Sequence, residues 1–187
     1  MSREQSAVMD GLHHDLSRID CALVHRSHIE HVFISPIQVV SGEPELYEAD
    51  VIVDQRHVFF YEHPLDHVPG LLLVEAVRQM GTAVTHLYYG APNDSAFVLN
   101  EMMIKFSQFA EHSSRLQIKM RIHDVNRRRG RVASLRCASA WWQSDKQIGT
   151  MDALWSVYDA RTMSRLRAAR GTPHKPARVD DPEQLGS

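Results

Sequence analysis

Cysteine is scarce in this sequence of 187 residues, which has only Cys21 and Cys137 and no CxxC pair. This spacing excludes a disulfide framework and a cysteine-rich zinc site. We therefore expect both residues to act as small apolar side chains in a reducing compartment. A chain of this length buries about 70% of its extended surface on folding, so a single hydrophobic core suffices for stability.

Long apolar runs are also absent. No stretch approaches the roughly 20 residues that a membrane span requires, and the start, MSREQSAVMD, lacks an apolar signal segment. We expect a soluble, cytoplasmic protein that does not bind membranes.

An excess of one charge is missing too, because 21 Lys+Arg and 23 Asp+Glu give a net charge of −2. Nucleic acid is therefore a poor partner, since neutralising phosphates requires a basic surplus.

Histidine, by contrast, is abundant, with 12 residues, so modest acidification turns the net charge positive.

The other charged residues are unevenly distributed along the chain. Residues 43–67 contain seven acidic residues and one arginine, whereas residues 115–136 contain eight basic residues and one aspartate. The second region includes a basic hairpin, which either docks an acidic carrier protein or the phosphates of CoA, or is a solvated turn. Its arginines are Arg127, Arg128, Arg129 and Arg131.

Patterns of β-branched and alternating apolar residues predict six strands, over residues 28–40, 46–60, 96–106, 115–125, 131–142 and 148–158. Polar breaks at 126–130 and 143–146 predict hairpin turns, which favour an antiparallel meander. One long helix is predicted over 71–89, before Gly90 and Pro92, and a short basic helix over 160–169. We expect residues 1–22 to form a polar segment, 23–160 the folded domain, and 161–187 the basic helix and a loose tail.

The long helix is apolar on nearly all sides, so it must be buried. A buried helix in a chain whose other main elements are strands predicts an α+β fold. In this arrangement an antiparallel sheet wraps around one central helix.

A polar stripe interrupts the apolar surface of this helix. Glu75, Arg78 or Gln79, Thr82 and His86 recur at spacings of three and four, which places them on one face. One interpretation is an internal ion pair between Glu75 and Arg78. The other is that the stripe lines a cleft, where a carboxylate with a raised pKa acts as acid or base. The spacing leaves both open.

The loop before the helix contains His63 and His67, beside Pro69 and Gly70. These imidazoles and the free amides of the first helical turn can meet in one small volume. Such amides suit the oxygen of a thioester carbonyl that gains negative charge during reaction. The alternative for either histidine is an ordinary loop residue. We expect no metal site, because Pro64 separates the pair and no third ligand is suitably spaced.

The segment FFYEHPLDHVPGLLLVEAVRQMG, residues 59–81, resembles the signature of the AfsA-like (A-factor biosynthesis) hotdog family. VHRSHIEHVFIS, residues 24–35, resembles the usual opening of that family, and FVLNEMMIKF its next strand. PGLLLVEA is also distantly similar to the central-helix motif of hotdog β-hydroxyacyl-carrier-protein dehydratases. The resemblance covers roughly residues 24–160.

The resemblance implies a hotdog fold with acyl-carrier-protein or CoA thioester substrates and no further cofactor. By position, Glu75 matches the helix carboxylate of the family, Arg78 its arginine, and His63 and His67 its loop histidines. We expect Glu75, His63 and His67 to be catalytic and Arg78, Gly70 and Gln79 to bind substrate. Family members transfer a β-ketoacyl group to a hydroxyl of dihydroxyacetone phosphate, a step toward γ-butyrolactone signals. Well-known members contain two hotdog repeats, and this chain has room for one, so we expect a homodimer with active sites between protomers.

The leading hypothesis is therefore acyl transfer from carrier protein or CoA to a hydroxyl acceptor. A second hypothesis is dehydration, isomerisation or hydrolysis of a thioester by the same residues. A third is a non-catalytic protein that binds acyl thioesters.

Overall fold

The structure, a computed structural model, describes residues 17–169. The long helix α1 spans Gly70–Tyr89 and the short helix α2 spans Ala160–Ala169, while two 3-10 turns, Cys21–Val24 and Ile29–His31, come first. The strands are β1 (Gln38–Val39), β2 (Leu46–Asp50), β3 (Ala96–Phe106), β4 (Leu116–Arg128), β5 (Arg131–Gln143) and β6 (Lys146–Tyr158). They form one antiparallel sheet in the order β1-β2-β4-β5-β6-β3. Residues 1–16 of the expected polar segment and residues 170–187 of the expected tail lie outside the described residues.

Helix α1 begins after Pro69 and ends at Gly90, whose φ of 73° is left-handed and whose N–H donates to the Thr85 carbonyl. Glycine adopts this conformation without the steric cost that a side chain adds. Most side chains between the two ends of the helix are buried, whereas Leu71 and Leu87 are exposed. The predicted burial of the helix is therefore confirmed for its central turns.

The sheet packs one face against α1. On β4 the apolar positions Leu116, Ile118, Met120 and Ile122 are buried, as their alternation predicts. The Trp141 indole N–H on β5 donates to the Leu73 carbonyl at 3.2 Å, which ties sheet to helix. Each fully buried apolar side chain contributes about 1.5–3 kcal/mol, so this interface is the main source of stability. The predicted α+β arrangement is confirmed.

The predicted hairpins are confirmed as two-residue turns. Arg129 and Gly130 join β4 to β5, and Ser144 and Asp145 join β5 to β6. All four have positive φ, which matches the right-handed twist of the flanking strands. The predicted bounds of β3 and α2 also agree with the structure.

Two of the predicted strands are wrong over most of their length. Residues 28–40 contain a 3-10 turn, an isolated bridge at Ile34 and only two strand residues. The chain there lies across α1 instead, and its Phe33 amide donates to the Gln79 side chain at 2.8 Å. The second predicted strand, 46–60, ends at Asp50. Beyond Val53 the chain turns at Asp54, whose carboxylate accepts a hydrogen bond from the Arg56 amide.

Strand β3 lies at one edge of the sheet and pairs only with β6. It is 11 residues long and carries several exposed apolar side chains, of which Met103 is 75% exposed. An edge of this length has a row of backbone groups free to pair with another strand. The exposed apolar residues of β3 are Leu99, Met102, Met103 and Phe106.

Cys21 and Cys137 are both free, as the sequence predicts. Cys137 is buried, and burial raises the pKa of its thiol to about 11.

Within residues 17–169, no helix combines the length and the apolar character needed to cross a membrane.

Candidate active site

Glu75 on α1 is the centre of a network of charged and polar side chains. Arg78 donates to both of its oxygens, from Nε to Oε2 at 2.7 Å and from Nη2 to Oε1 at 2.8 Å. Gln79 Nε2 donates to Oε1 at 2.8 Å, and Arg26 pairs with the same oxygen. The carboxylate is 16% exposed and so depends on these donors.

Arg26 reaches α1 because of the turn before it. The 3-10 turn Cys21–Val24 ends at His25, whose φ of 56° and ψ of 49° are left-handed. This reversal brings Arg26 onto the helix, while the Val24 carbonyl accepts a hydrogen bond from Arg78 at 3.2 Å. Both arginines therefore hold the segment before β1 against α1 as well as pairing with Glu75.

The network decides the protonation state of Glu75. Burial raises the pKa of this carboxyl, but the hydrogen bonds from Arg78, Gln79 and Arg26 together outweigh burial and leave the pKa below its ordinary value of 4.5. Of the two interpretations left open by the spacing, the ion pair between Glu75 and Arg78 is confirmed, and the raised pKa is wrong. Glu75 is a fixed carboxylate at neutral pH and a poor proton donor.

The two guanidinium groups exceed the one carboxylate, so the cluster has a net charge of +1. Their side chains are 35% and 40% exposed for Arg26 and Arg78, so the excess charge faces solvent. The Nε of Arg26 is buried and has no hydrogen-bond acceptor among the described residues. A guanidinium pair held in place by a carboxylate suits an anionic group with several oxygens.

The rest of the polar stripe is structural. Gln79 is fully buried and its amide donates to the His31 carbonyl at 2.8 Å, in addition to accepting from the Phe33 amide. Thr82 donates back to the Arg78 carbonyl at 2.9 Å. Gln79, which we expected to bind substrate, instead ties residues 31–33 to α1.

His86 forms a histidine pair that the spacing did not predict. Its Nδ1 bonds to the Ala91 carbonyl at 2.8 Å, so Nδ1 carries the proton. Nε2 is then free to accept from His25 Nε2 at 3.0 Å. Both rings also contact Phe97 on β3. Burial, followed by the charges of His86 and Arg78, lowers the pKa of His25, which favours the neutral ring.

The start of α1 forms a second small site. Gly70 is half-buried beneath the Phe106 ring, and a Cβ at Gly70 would lie 3.2 Å from Phe106 Cε2 and Cζ. The Leu72 amide bonds to the Pro69 carbonyl at 3.0 Å, whereas the amides of Gly70 and Leu71 have no backbone acceptor among the described residues. These two amides are available to a ligand oxygen.

His67 lies beside this helix start and His63 does not contribute to it. His67 Nδ1 bonds to the Asp66 carboxylate at 2.7 Å, and its ring is 5.0 Å from that of Phe109. The hydrogen bond from His67 is the first of the causes that lower the pKa of Asp66, so this carboxylate is ionised and accepts the Nδ1 proton. His67 Nε2 has no hydrogen-bond partner among the described residues. His63 is exposed, and no hydrogen bond or ring contact joins it to another described residue.

The two parts of the site are neighbours on α1 but are not joined directly. Among the described residues, no hydrogen bond or ion pair links His67 with Glu75 or Arg78. Arg78 lies eight residues after Gly70, about 12 Å along the helix axis. Helical side chains lean toward the N-terminus, so the Arg78 head is closer to Gly70 than its backbone is.

The basic hairpin is far from these residues. Arg127, Arg128, Arg129 and Arg131 are exposed at the turn between β4 and β5.

Within residues 17–169, no group of three His, Cys, Asp or Glu side chains is arranged to hold a metal ion.

Comparison with known proteins agrees with this architecture. A family model described as the A-factor biosynthesis hotdog domain matches residues 9–159. The chain belongs to this family. A solved mutant thioesterase from Pseudomonas aeruginosa has a TM-score of 0.51 and 16% identity, with 66% of this chain and 80% of that chain covered. The expected hotdog fold is therefore confirmed.

A curated relative of this hotdog domain is a 2-oxo-3-(phosphooxy)propyl 3-oxoalkanoate synthase from Streptomyces virginiae, which is 32% identical over 79 residues. The match covers 42% of this chain and 24% of the relative. The chain thus matches about a quarter of the length of the curated relative.

Sequence reasoning missed Arg26, His25 and Asp66. Arg26 and His25 are in the VHRSHIEH segment that resembles the family opening, so the signal was present without a role attached to it. No periodicity links residue 26 with residue 75, because the contact is made by chain reversal. Asp66 is the immediate neighbour of His67, and adjacency alone does not predict a hydrogen bond.

We expect Glu75→Gln to destabilise the protein at neutral pH by about 2 kcal/mol, less than the loss of a fully buried pair, because two arginines lose their counter-charge. Because the folded pKa of Glu75 is lowered, its contribution is fully present above 4.5 and disappears as pH falls through the lower folded pKa. The difference between wild type and variant in urea unfolding should therefore shrink in acid.

Glu101→Gln is the matched control, because Glu101 is an exposed carboxylate that also pairs with an arginine, Arg136. Its effect should stay below about 1 kcal/mol. Equal losses for the two variants, or a difference for Glu75→Gln that persists unchanged in acid, would contradict the assigned role of Glu75.

Proposed function

We propose that this protein is an acyl-thioester-processing enzyme that transfers a 3-oxoacyl group from a carrier protein or CoA to a hydroxyl group. The acceptor is a phosphorylated three-carbon compound such as dihydroxyacetone phosphate, and the product leads toward γ-butyrolactone signals. The observation that carries this proposal is the Arg26–Arg78 pair, which leaves one positive charge facing solvent on the same helix as the free amides of its first turn. Membership of the family and the phosphorylated product in the relative's name support it.

The arginine pair is suited to a phosphate rather than to acid–base chemistry. Arg26 and Arg78 are held side by side by Glu75, so little side-chain freedom remains to be lost on binding. Glu75, whose lowered pKa keeps it ionised, then has a positioning role in this proposal.

The helix start is suited to the thioester. The free amides of Gly70 and Leu71 can donate to the carbonyl oxygen as negative charge develops on it. The exposed apolar side chains of Leu71, Phe106 and Phe109 surround this point and suit an acyl chain.

His67 is the proposed general base. Its Nδ1 proton is held by Asp66, so Nε2 takes the proton from the acceptor hydroxyl. The hydroxyl oxygen then attacks the thioester carbon and forms the ester bond, while the carbon–sulfur bond breaks. The imidazolium returns its proton to the departing thiolate. If water takes the place of the acceptor, the same steps give hydrolysis.

We also propose that the chain works as a homodimer through β3. Two copies of this edge strand can pair backbone to backbone, and the pairing covers the exposed residues Leu99, Met102, Met103 and Phe106. The apolar surface beside Gly70 is then completed by the second copy.

The proposed phosphate site predicts that the enzyme prefers a phosphorylated acceptor to the same acceptor without phosphate. Purified protein, incubated with 3-oxoacyl carrier protein, should form an ester with dihydroxyacetone phosphate more efficiently than with dihydroxyacetone. Arg78→Gln and Arg26→Gln should each reduce this preference about tenfold or more, because a charged hydrogen-bond partner of the phosphate is lost.

Activity with unphosphorylated dihydroxyacetone serves as the control for folding and should change little. Mass spectrometry separates the outcomes. Free 3-oxoacid without ester would indicate a thioesterase, loss of water from a 3-hydroxyacyl thioester would indicate a dehydratase, and binding without turnover would indicate a non-catalytic protein.

The two loop histidines should differ in effect. His67→Gln should lower kcat by about 100-fold or more, because the base is removed while the loop is retained. His63→Gln is the matched control and should have nearly wild-type kcat, since His63 is exposed and forms no hydrogen bond or ring contact with another described residue. A larger loss for His63→Gln than for His67→Gln would reverse the assignment.

The β3 dimer predicts a shift in mass. Met102→Lys combined with Met103→Lys places charges on the edge and should convert the dimer to monomer in analytical ultracentrifugation. Val58→Lys is the control, because Val58 is an exposed apolar residue on a turn away from β3 and its substitution should leave the dimer intact. A dimer that survives the double substitution would place the interface elsewhere.

A further inference from the structure

Two basic segments meet at one end of the sheet. The turn between β4 and β5 carries Arg127, Arg128, Arg129 and Arg131, all exposed. Helix α2 starts immediately after β6, next to the beginning of β5, and the register pairs Ser134 with Ser156. The charge of Arg131 acts on Asp159, the residue before α2, so the two segments are within electrostatic reach.

Helix α2 adds three more exposed arginines, Arg161, Arg165 and Arg167. None of its residues is buried. A helix of ten residues is marginal on its own, and α2 has little core packing to stabilise it. Its arginines and those of the β4–β5 turn together form what we term the arginine surface.

Within the part of the chain that the structure describes, carboxylates do not neutralise the arginine surface. None of its seven arginines forms an ion pair with a carboxylate among residues 17–169. Elsewhere, Arg115 and Arg121 each pair with one carboxylate, and Arg136 pairs with two. The Asp159 carboxylate accepts from the Thr162 amide at 2.6 Å. Local positive charge therefore remains available to a partner.

We propose that the arginine surface docks the acidic face of the carrier protein that delivers the acyl group. This proposal rests on the proposed function. Helix α2 alone is about 15 Å long, so the surface extends beyond what the phosphates of one nucleotide contact. A protein helix with several carboxylates matches both this length and this charge. The net charge of −2 over the whole chain argues against a nucleic acid.

The position of the arginine surface determines which of the two active sites of the proposed homodimer it serves. Phe106, at the far end of β3, contacts Gly70, whereas Ala96 pairs with Tyr158 just before α2. Within one chain, about 35 Å of β3 separates the arginine surface from the helix start. When two β3 strands pair antiparallel about a two-fold axis, Ala96 of one copy lies near Phe106 of the other. Each arginine surface therefore serves the site of the partner copy.

Binding can be measured without turnover, so its outcome is independent of the proposed reaction. The probe is a 3-oxoacyl-loaded acyl carrier protein of a type II fatty acid synthase. A variant with Arg127→Glu, Arg128→Glu and Arg129→Glu, and another with Arg161→Glu and Arg165→Glu, should each bind it at least about tenfold more weakly at low salt. The wild-type affinity should fall as salt is added.

Arg121→Glu is the control, because Arg121 is exposed but already paired with Glu43. It lies on β4 about 20 Å before the hairpin arginines and three strands away from β3. It should bind the probe like wild type. Unchanged affinity in both arginine variants, or an equal loss for Arg121→Glu, would overturn the proposal. If the arginine variants lose affinity for free 3-oxoacyl-CoA and the carrier protein does not bind at all, the surface serves CoA and the proposal is also overturned.

Mixed dimers test which site is served. One copy carries His67→Gln with native arginines, and the other has native His67 with the three hairpin substitutions. If the surface acts on the partner copy, the intact site is served by native arginines and the dimer keeps about half of the wild-type rate. A rate as low as that of the fully substituted dimer would show that each surface serves its own chain.

Discussion

The carboxylate of Glu75 is the point on which the arrangement of this domain depends. It is the only common acceptor of three donors that come from two parts of the described chain: Arg78 and Gln79 on the helix, and Arg26 from the segment before β1. That segment has few strand hydrogen bonds of its own, so its position depends on its hydrogen bonds and ion pair with side chains of α1. Removing the carboxylate leaves like charges facing each other, and the attraction between segment and helix becomes repulsion.

The same network illustrates how two opposing effects set the chemistry of a buried carboxyl. Burial alone favours the neutral acid, which suits proton transfer, whereas each charged donor favours the anion. Here three donors prevail and keep Glu75 ionised, so we assign the proposed acid–base role to His67 before the helix start. His67 has a single, exposed carboxylate partner, which orients the ring without enclosing it. The fixed carboxylate and the proposed base are thus separate groups, one on α1 and one in the loop that precedes it.

The parts of the fold with regular patterns could be predicted from the sequence. The alternation on β4 and the apolar character of α1 each reflect burial against one surface, so their bounds follow from local pattern. Residues 28–40 and 51–60 have the composition of strands, but backbone amides in these segments donate to the side chains of Gln79 and Asp54 and hold the chain in other conformations. The same holds for the site. The Glu75–Arg78 pair follows from helical spacing, whereas Arg26 and the His25–His86 pair depend on contacts 49 and 61 residues apart.

The long unpaired edge of β3 links assembly to folding. In a monomer, the unpaired backbone N–H and C=O groups of this edge and its apolar side chains face water. The proposed association would remove this surface, which the other described residues do not cover. If the proposed homodimer forms, its resistance to heat belongs to the pair and rises with protein concentration. The time that a newly made chain spends without a second copy is then the interval in which chaperones and proteases act on it.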